Sequence, residues 1–258
     1  MSNYLYEVWI CFLAGAGAGI GTGFAGMSAA TVITPMLVPF LGVDAYHAIG
    51  IALASDVLAG AVSAYTYARN KSIDIRNGLV MMVSVLVMTT VGSWLSSLVP
   101  SSALGNTSVL MLVLLGLKFL ILPVTSTRRT MEGESLAIRV LKGILGGSVI
   151  GLVCGFFGAG GGMMMLLVLT VVLGYELKTA VGTSVFIMTF SALTGAVSHV
   201  AMGSRPQFDL LVLCILFTLG WAQVAARIAT RASTLLLNRM TGAVLTVLGV
   251  VLIVINYC

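Results

Sequence analysis

The sequence predicts an all-α polytopic membrane protein: two inverted-topology repeats of about five helical segments each, with broken or short half-helices at the repeat interface. Three observations carry that prediction. The first is composition: 59% of the 258 residues are hydrophobic and 8% charged, and the mean hydropathy is +1.11. Apolar runs of helical length recur from end to end, and a soluble domain of this size has too little surface to hide them. The strands of a membrane β-barrel alternate apolar and polar residues, which these runs do not. The spans are therefore helices, whose backbone bonds close internally in lipid.

The second observation is a duplication. Shifted by 132 residues, Gly15, Gly19, Gly23, Phe24 and Gly26 fall on Gly147, Gly151, Gly155, Phe156 and Gly158. Gly42, Ala48 and Gly50 fall on Gly174, Ala180 and Gly182, and Asp44 meets Glu176. After a gap of three residues the match resumes, with GAVS (60–63) on GAVS (195–198) and Asp74 on Asp209. Ordered matches with one gap mark an internal repeat. The chain divides into a first repeat (1–124), a linker (125–137) and a second repeat (138–258), together one membrane domain.

The third observation is a pair of short segments. Each repeat opens with a helix (about 8–24 and 138–157), followed by a short apolar piece (about 28–42 and 163–174). A long helix comes next (about 45–69 and 177–202). Two more close the unit (about 75–98 and 103–124; 208–230 and 234–255). At 1.5 Å per residue the short pieces reach about 18–22 Å, against roughly 30 Å of hydrocarbon. They are too short to span alone, and each begins at a glycine-rich turn.

Basic residues orient the copies. In an inverted arrangement Arg69, Lys71, Arg76, Arg128, Arg129, Arg139, Lys142, Lys178, Arg227, Arg231 and Arg239 share one side, and Arg205 faces the other. Parallel copies would divide them far more evenly. The positive-inside rule favours inversion, with both termini outside. Lys118, near the inner end of a helix, can snorkel. The linker STRRTMEGESLAIRVLK (126–142) then reads as a solvated cytoplasmic connector, with partner or anionic-lipid binding as the alternative. The net charge of +5 needs no nucleic acid, because the bases lie between apolar segments. No base precedes Trp9, so the first segment lacks the start of a cleavable signal peptide. Cys11, Cys154, Cys214 and Cys258 have no metal-ligand spacing and read as small buried hydrophobes. Neither a metal nor another cofactor is expected.

The glycines have two uses. Those four apart, Gly15, Gly19 and Gly23 and likewise Gly147, Gly151 and Gly155, make a bare stripe for close helix approach. Gly158, Gly160, Gly161 and Gly162, within GFFGAGGG (155–162), would end a helix instead. Unwound backbone in a membrane requires protein or a watery cavity to partner it. Inverted repeats with interrupted helices point to a transport site at the midplane, and half-helix N-termini favour an anion. A tight packing turn without ligand is the alternative. GTGFAG (21–26) fits GxGxxG, but no soluble strand precedes it and Val153 replaces Gly21 in the second copy, so dinucleotide binding is rejected.

GFFGAGGG, AVGTS (180–184), GAVSH (195–199) and a downstream aspartate resemble the TauE/SafE family of membrane transporters. GFAGMSAATVITP (23–35), AIG (48–50), GAVS and Asp74 answer them in the first copy. The resemblance covers nearly the whole chain. It implies a secondary transporter of small anions such as sulfite, sulfoacetate or other organosulfur anions, located in the inner (cell) membrane. Where the family has a glycine triplet in its first copy, this chain has Ser28, Ala29 and Ala30, and Leu167 stands opposite Pro35. The first turn is therefore expected to be more helical, with the Ser28 hydroxyl replacing a backbone donor.

Candidate substrate-binding residues are Ser28, Ala29, Gly158, Gly160, Gly161, Gly162, Thr183 and Ser184. For Thr183 and Ser184 the bland alternative is back-bonding to the helix carbonyl four residues earlier. Asp56, a carboxylate in mid-helix, is a functional hypothesis by default. The coupling reading has it bind and release a proton while an anion moves; a structural, hydrogen-bonded aspartate is the alternative. His199 could carry protons or bind an anion, or sit at the interface bonded to a loop. His47 reads as a loop residue, and Met163–Met165 as packing.

An enzyme is not expected. The one thinkable nucleophile and base, Ser184 and His199, lie about 22 Å apart on one continuous helix, far beyond the ~3 Å a base needs. No phosphate-cradling GxxxxGK[ST] motif would drive ATP-dependent transport. A channel or a non-transporting membrane partner is the rival class. The oligomeric state is open, a homodimer among the arrangements.

Overall fold

The computed structural model describes residues 2–96, 110, 113–114, 116–124, 135–157, 165–201 and 207–257. Helices account for nearly all of them, and no strand occurs among the described residues. The helices are α1 (Ser2–Ala25), α2 (Ala30–Leu41), α3 (Ala45–Arg69) and α4 (Ile75–Ser96), then α5 (Leu136–Phe157), α6 (Leu177–Ala201), α7 (Phe208–Arg231) and α8 (Thr234–Tyr257). A helical stretch at 116–121 lies between α4 and α5. Among the described residues, five segments are long and apolar enough to cross a membrane: Tyr4–Ala25, Ala45–Arg69, Leu177–Val197, Phe208–Arg231 and Thr234–Val254.

The two short pieces differ. α2 has 12 residues and carries Pro35 and Pro39. Its second-copy counterpart is helical at 165–167 and then widens into a π-helical turn, Val168–Val172. Both end alike: Gly42 and Gly174, 132 residues apart, are left-handed (φ 64° and 68°). Val43 N–H donates to Leu37 O (3.4 Å) and Tyr175 N–H to Leu169 O (2.9 Å), each bond closing a seven-residue loop around the left-handed glycine that stops the helix. The chain then enters α3 through Asp44, whose carboxylate accepts from Tyr46 N–H at 2.9 Å, an ordinary N-cap.

The halves are interleaved. α1 packs along α7 and α5 along α4, so each copy's opening helix lies against the other copy's fourth. The glycine stripes make both contacts. A Cβ at Gly19 would stand 2.5 Å from Thr218 O, and one at Gly151 2.5 Å from Val85 O; real side chains do not fit there. α3 and α6, equivalent in the two copies, lie side by side with Leu53 near Gly195, Gly60 near Thr189 and Tyr67 near Gly182. One index rises as the other falls, so the helices run antiparallel, the relation that inverted copies require of equivalent helices.

Candidate substrate and coupling site

The first-copy break lies between α1 and α2. α1 stops at Ala25 because Gly26 turns left-handed (φ 61°). Gly26 N–H reaches back to Thr22 O (2.9 Å) and Met27 N–H to Gly21 O (3.3 Å), an αL helix stop inside the membrane domain. The expectation of a more helical first turn is corrected here: four residues, Gly26, Met27, Ser28 and Ala29, lie between the two helices. Gly26, rather than the missing glycine triplet, supplies the conformation that ends α1.

Broken backbone in an apolar interior needs partners for every exposed group. Here hydroxyls from distant helices supply them. Tyr67 of α3 donates to Gly23 O at 2.8 Å, and Thr241 of α8 to Phe24 O at 3.0 Å. Ser184 of α6 donates to Gly26 O at 3.1 Å, and Thr22 to Met27 O at 2.9 Å. All four side chains are buried.

The amide side of the break belongs to Asp56, which is fully buried. Ser28 Oγ donates to Asp56 Oδ2 at 2.6 Å, and Ala29 N–H to Oδ1 at 2.6 Å. Ser28 Oγ in turn accepts from Ala30 N–H at 3.2 Å. A half-helix N-terminus favours an anion through its free N–H groups and dipole. In this copy the anion is the protein's own carboxylate. Ser28 and Ala29 are thus brought together with Asp56, as a closed cluster.

Thr183 and Ser184, both fully buried on α6, reach across to the other copy. Ser184 bonds the first-copy turn, and Thr183 Oγ1 accepts from Asp74 N–H at 3.1 Å. Asp74 is itself almost fully buried. Its carboxylate accepts from Asn77 N–H (3.1 Å), Asn77 Nδ2 (2.6 Å) and the Tyr175 hydroxyl (2.7 Å). It caps α4 and ties that helix to the second copy. Sequence reasoning noted Asp74 only as a repeat match. Asp-x-x-Asn before an apolar run is a readable cap; Tyr175, 101 residues away, left no local signal.

Gly158, Gly160, Gly161, Gly162 and Met163 lie outside the described residues, as does the side chain of His199, whose backbone belongs to α6. Met165 is buried in the core. Cys11 and Cys214 are free and buried. Among the described residues no group of three or more His, Cys, Asp or Glu could hold a metal ion.

The chain is similar to two Bacillus subtilis (strain 168) proteins. One is the Probable membrane transporter protein YunE, 25% identical over 198 residues, which is 72% of each chain. The other is the Probable membrane transporter protein YdhB, 24% identical over 209 residues, 81% of this chain and 85% of that one. No solved structure matches. Residues 11–252 match the family described as Sulfite exporter TauE/SafE. With its interrupted helix, membrane-length spans and a family match over nearly its whole length, this chain belongs to the TauE/SafE family of integral membrane proteins.

Proposed function

We propose that the protein is a secondary transporter that moves small anions of the sulfite and organosulfonate class by alternating access of its two halves. In this reading it lies in the cell membrane with both termini outside, and Asp56 couples transport to protons. The observation that supports it most is the helix break held by a fully buried carboxylate, Asp56, through Ser28 and Ala29. A break in the membrane interior is costly unless it serves a path or a site.

The Asp56 cluster supports a coupling scheme. With Oδ2 unprotonated, Asp56 accepts from Ser28 and its charge occupies the end of α2. A proton on Oδ2 makes that oxygen a donor toward Ser28 Oγ and removes the charge. A second anion can then approach the α2 terminus without repulsion. Proton and anion would move together, and deprotonation would restore the closed cluster and expel the anion.

Binding is shared unequally between the copies. Ser28 and Ala29 serve through Asp56, whereas the glycine-rich turn containing Gly158, Gly160, Gly161 and Gly162 would supply the backbone donors. Thr183 and Ser184 hold the seam that must shift when the halves move. Hydrolysis gains no support, since Ser184 already donates to Gly26 O and His199 is about 22 Å along the same helix. The test is flux into proteoliposomes. Saturable sulfite or sulfonate uptake that follows a pH gradient is expected. Absence of flux for every small anion tried would end the proposal, and unsaturable flux would make the protein a channel.

A further inference from the structure

A second polar feature lies away from the break, where α3 and α7 end beside each other. Between them is a cleft of about 420 Å3 lined by three arginines, Arg69, Arg227 and Arg231. Among the described residues no carboxylate lines it, and none of the three arginines forms an ion pair. Neutral groups orient two of them instead. With the Gln223 amide turned to the orientation that satisfies its neighbours, its oxygen accepts from Arg227 Nε at 2.8 Å and Nη2 at 3.0 Å, and its nitrogen donates to Thr66 Oγ1 at 3.2 Å. Arg69 lies over the Tyr65 ring, 5.8 Å from its centre. These contacts aim the guanidinium groups without neutralising them.

Two ordinary explanations for arginines at this place fall short. Cations complement the dipole at a helix C-terminus, but the end of α7 is already closed. Ala232 N–H donates to Ile228 O at 2.9 Å and Lys178 Nζ to Thr230 O at 3.2 Å. The positive-inside rule places bases on this side of the membrane, but it does not require them to converge on one hollow, where like charges repel. Converging, pre-oriented guanidinium forks match a tetrahedral oxyanion.

We propose that this cleft binds the phosphate group of an anionic membrane phospholipid, on the face that the charge pattern assigns to the cytoplasm. The surroundings favour a lipid over a soluble anion. On α7 an exposed apolar column, Trp221, Val224 and Ile228, runs beside the column of Gln223, Arg227 and Arg231. An acyl chain can lie along the first while its headgroup sits in the second. Tyr65 is 62% exposed, as suits an aromatic side chain at headgroup depth. Basic pockets between membrane helices on the cytoplasmic side take such headgroups. This inference does not depend on the transport reading.

Native mass spectrometry of the full chain in detergent, titrated with phosphatidylglycerol or phosphatidylcholine, tests it. Wild type is expected to retain one phosphatidylglycerol about tenfold more tightly than phosphatidylcholine, and Arg227→Gln to remove about that factor, the size of one charge-assisted bond. Arg227→Lys keeps the charge and the topology but loses the fork held by Gln223, so it should show an intermediate preference and serves if the glutamine variant fails to fold. Arg239→Gln, a base on the same side but outside the cleft, should leave the preference intact. Equal losses at Arg239 and Arg227 would reduce the effect to diffuse charge and overturn the site. So would the lack of any headgroup preference in wild type. Displacement of the lipid by inorganic phosphate as readily as by added phosphatidylglycerol would overturn the lipid assignment.

Discussion

The two copies follow one path through the membrane but furnish it differently. In the first, the end of the short helix meets Asp56, whose carboxylate is bonded at 2.6 Å by both Ser28 and Ala29. In the second, the position equivalent to Asp56 is Met188 at the early shift or Ser191 at the late one. Met188 is buried in the core, and Ser191 donates to Ile187 O on its own helix at 3.2 Å. Neither can supply a negative charge. Asp74 and Asp209 diverge in the same way. The first is buried and triply bonded, whereas the second sits exposed on the opening turn of α7. Duplication preserved helix order and the glycine stripes, while polar groups specialised. A site at the interface of such halves cannot treat its ligand symmetrically.

The strongest challenge to that contrast is Asp56→Asn. Asparagine can still accept one bond, so the fold should survive, but no proton can be exchanged. Transport driven by a pH gradient should vanish, as proteoliposome flux would reveal; undiminished pH dependence would remove Asp56 from coupling. Asp56→Ala should also strand the Ser28 hydroxyl and the Ala29 N–H in the interior, at about 1–3 kcal/mol per orphan donor, visible as a lower midpoint in thermal unfolding in detergent.

Next comes the turn itself. Gly26→Ala places a Cβ 2.8 Å from Ser184 Oγ in a left-handed conformation, which costs an alanine about 1–2 kcal/mol before any clash. Ser184→Ala should relieve part of that strain. A double-mutant cycle on unfolding midpoints should therefore show coupling, and strict additivity would separate the two residues.

The paired aspartates give a smaller, comparative effect. Asp74→Ala should lose about 1 kcal/mol for the cap and about another 1 kcal/mol for the lost bond from the Tyr175 hydroxyl. Asp209→Ala should change stability by no more than about 0.5 kcal/mol, as exposed positions do. Equal losses in the same unfolding assay would erase the asymmetry.

Much of the fold was legible because membrane helices announce themselves locally. The range 45–69 expected for the long helix is that of α3, since Asp44 caps its start and Gly42 stops the helix before it. The expectation of a more helical first turn failed, because the conformation of Gly26 depends on which hydroxyls donate to the carbonyls around it. Tyr67, Ser184 and Thr241 donate to carbonyls of the turn from 44, 158 and 217 residues away, and no periodicity encodes such distances. Asp56 stood out in the sequence because a carboxylate in an apolar helix is anomalous by itself. Its partners were legible only as neighbours of a turn. Thr183 and Ser184 were weighed as ligands or as back-bonded hydroxyls; they bond the opposite copy, which required knowing that α6 lies against the first half.

The interleaving of the halves bears on how the molecule is made. α1 leaves the ribosome well before α7, yet the surface that covers its bare stripe lies on α7, nearly two hundred residues downstream. Until α7 is synthesised, α1 must wait in the bilayer with its glycines facing lipid or a chaperone. Truncated chains ending before Phe208 should therefore be recognised by quality-control proteases, and the second half expressed as a separate polypeptide should rescue them.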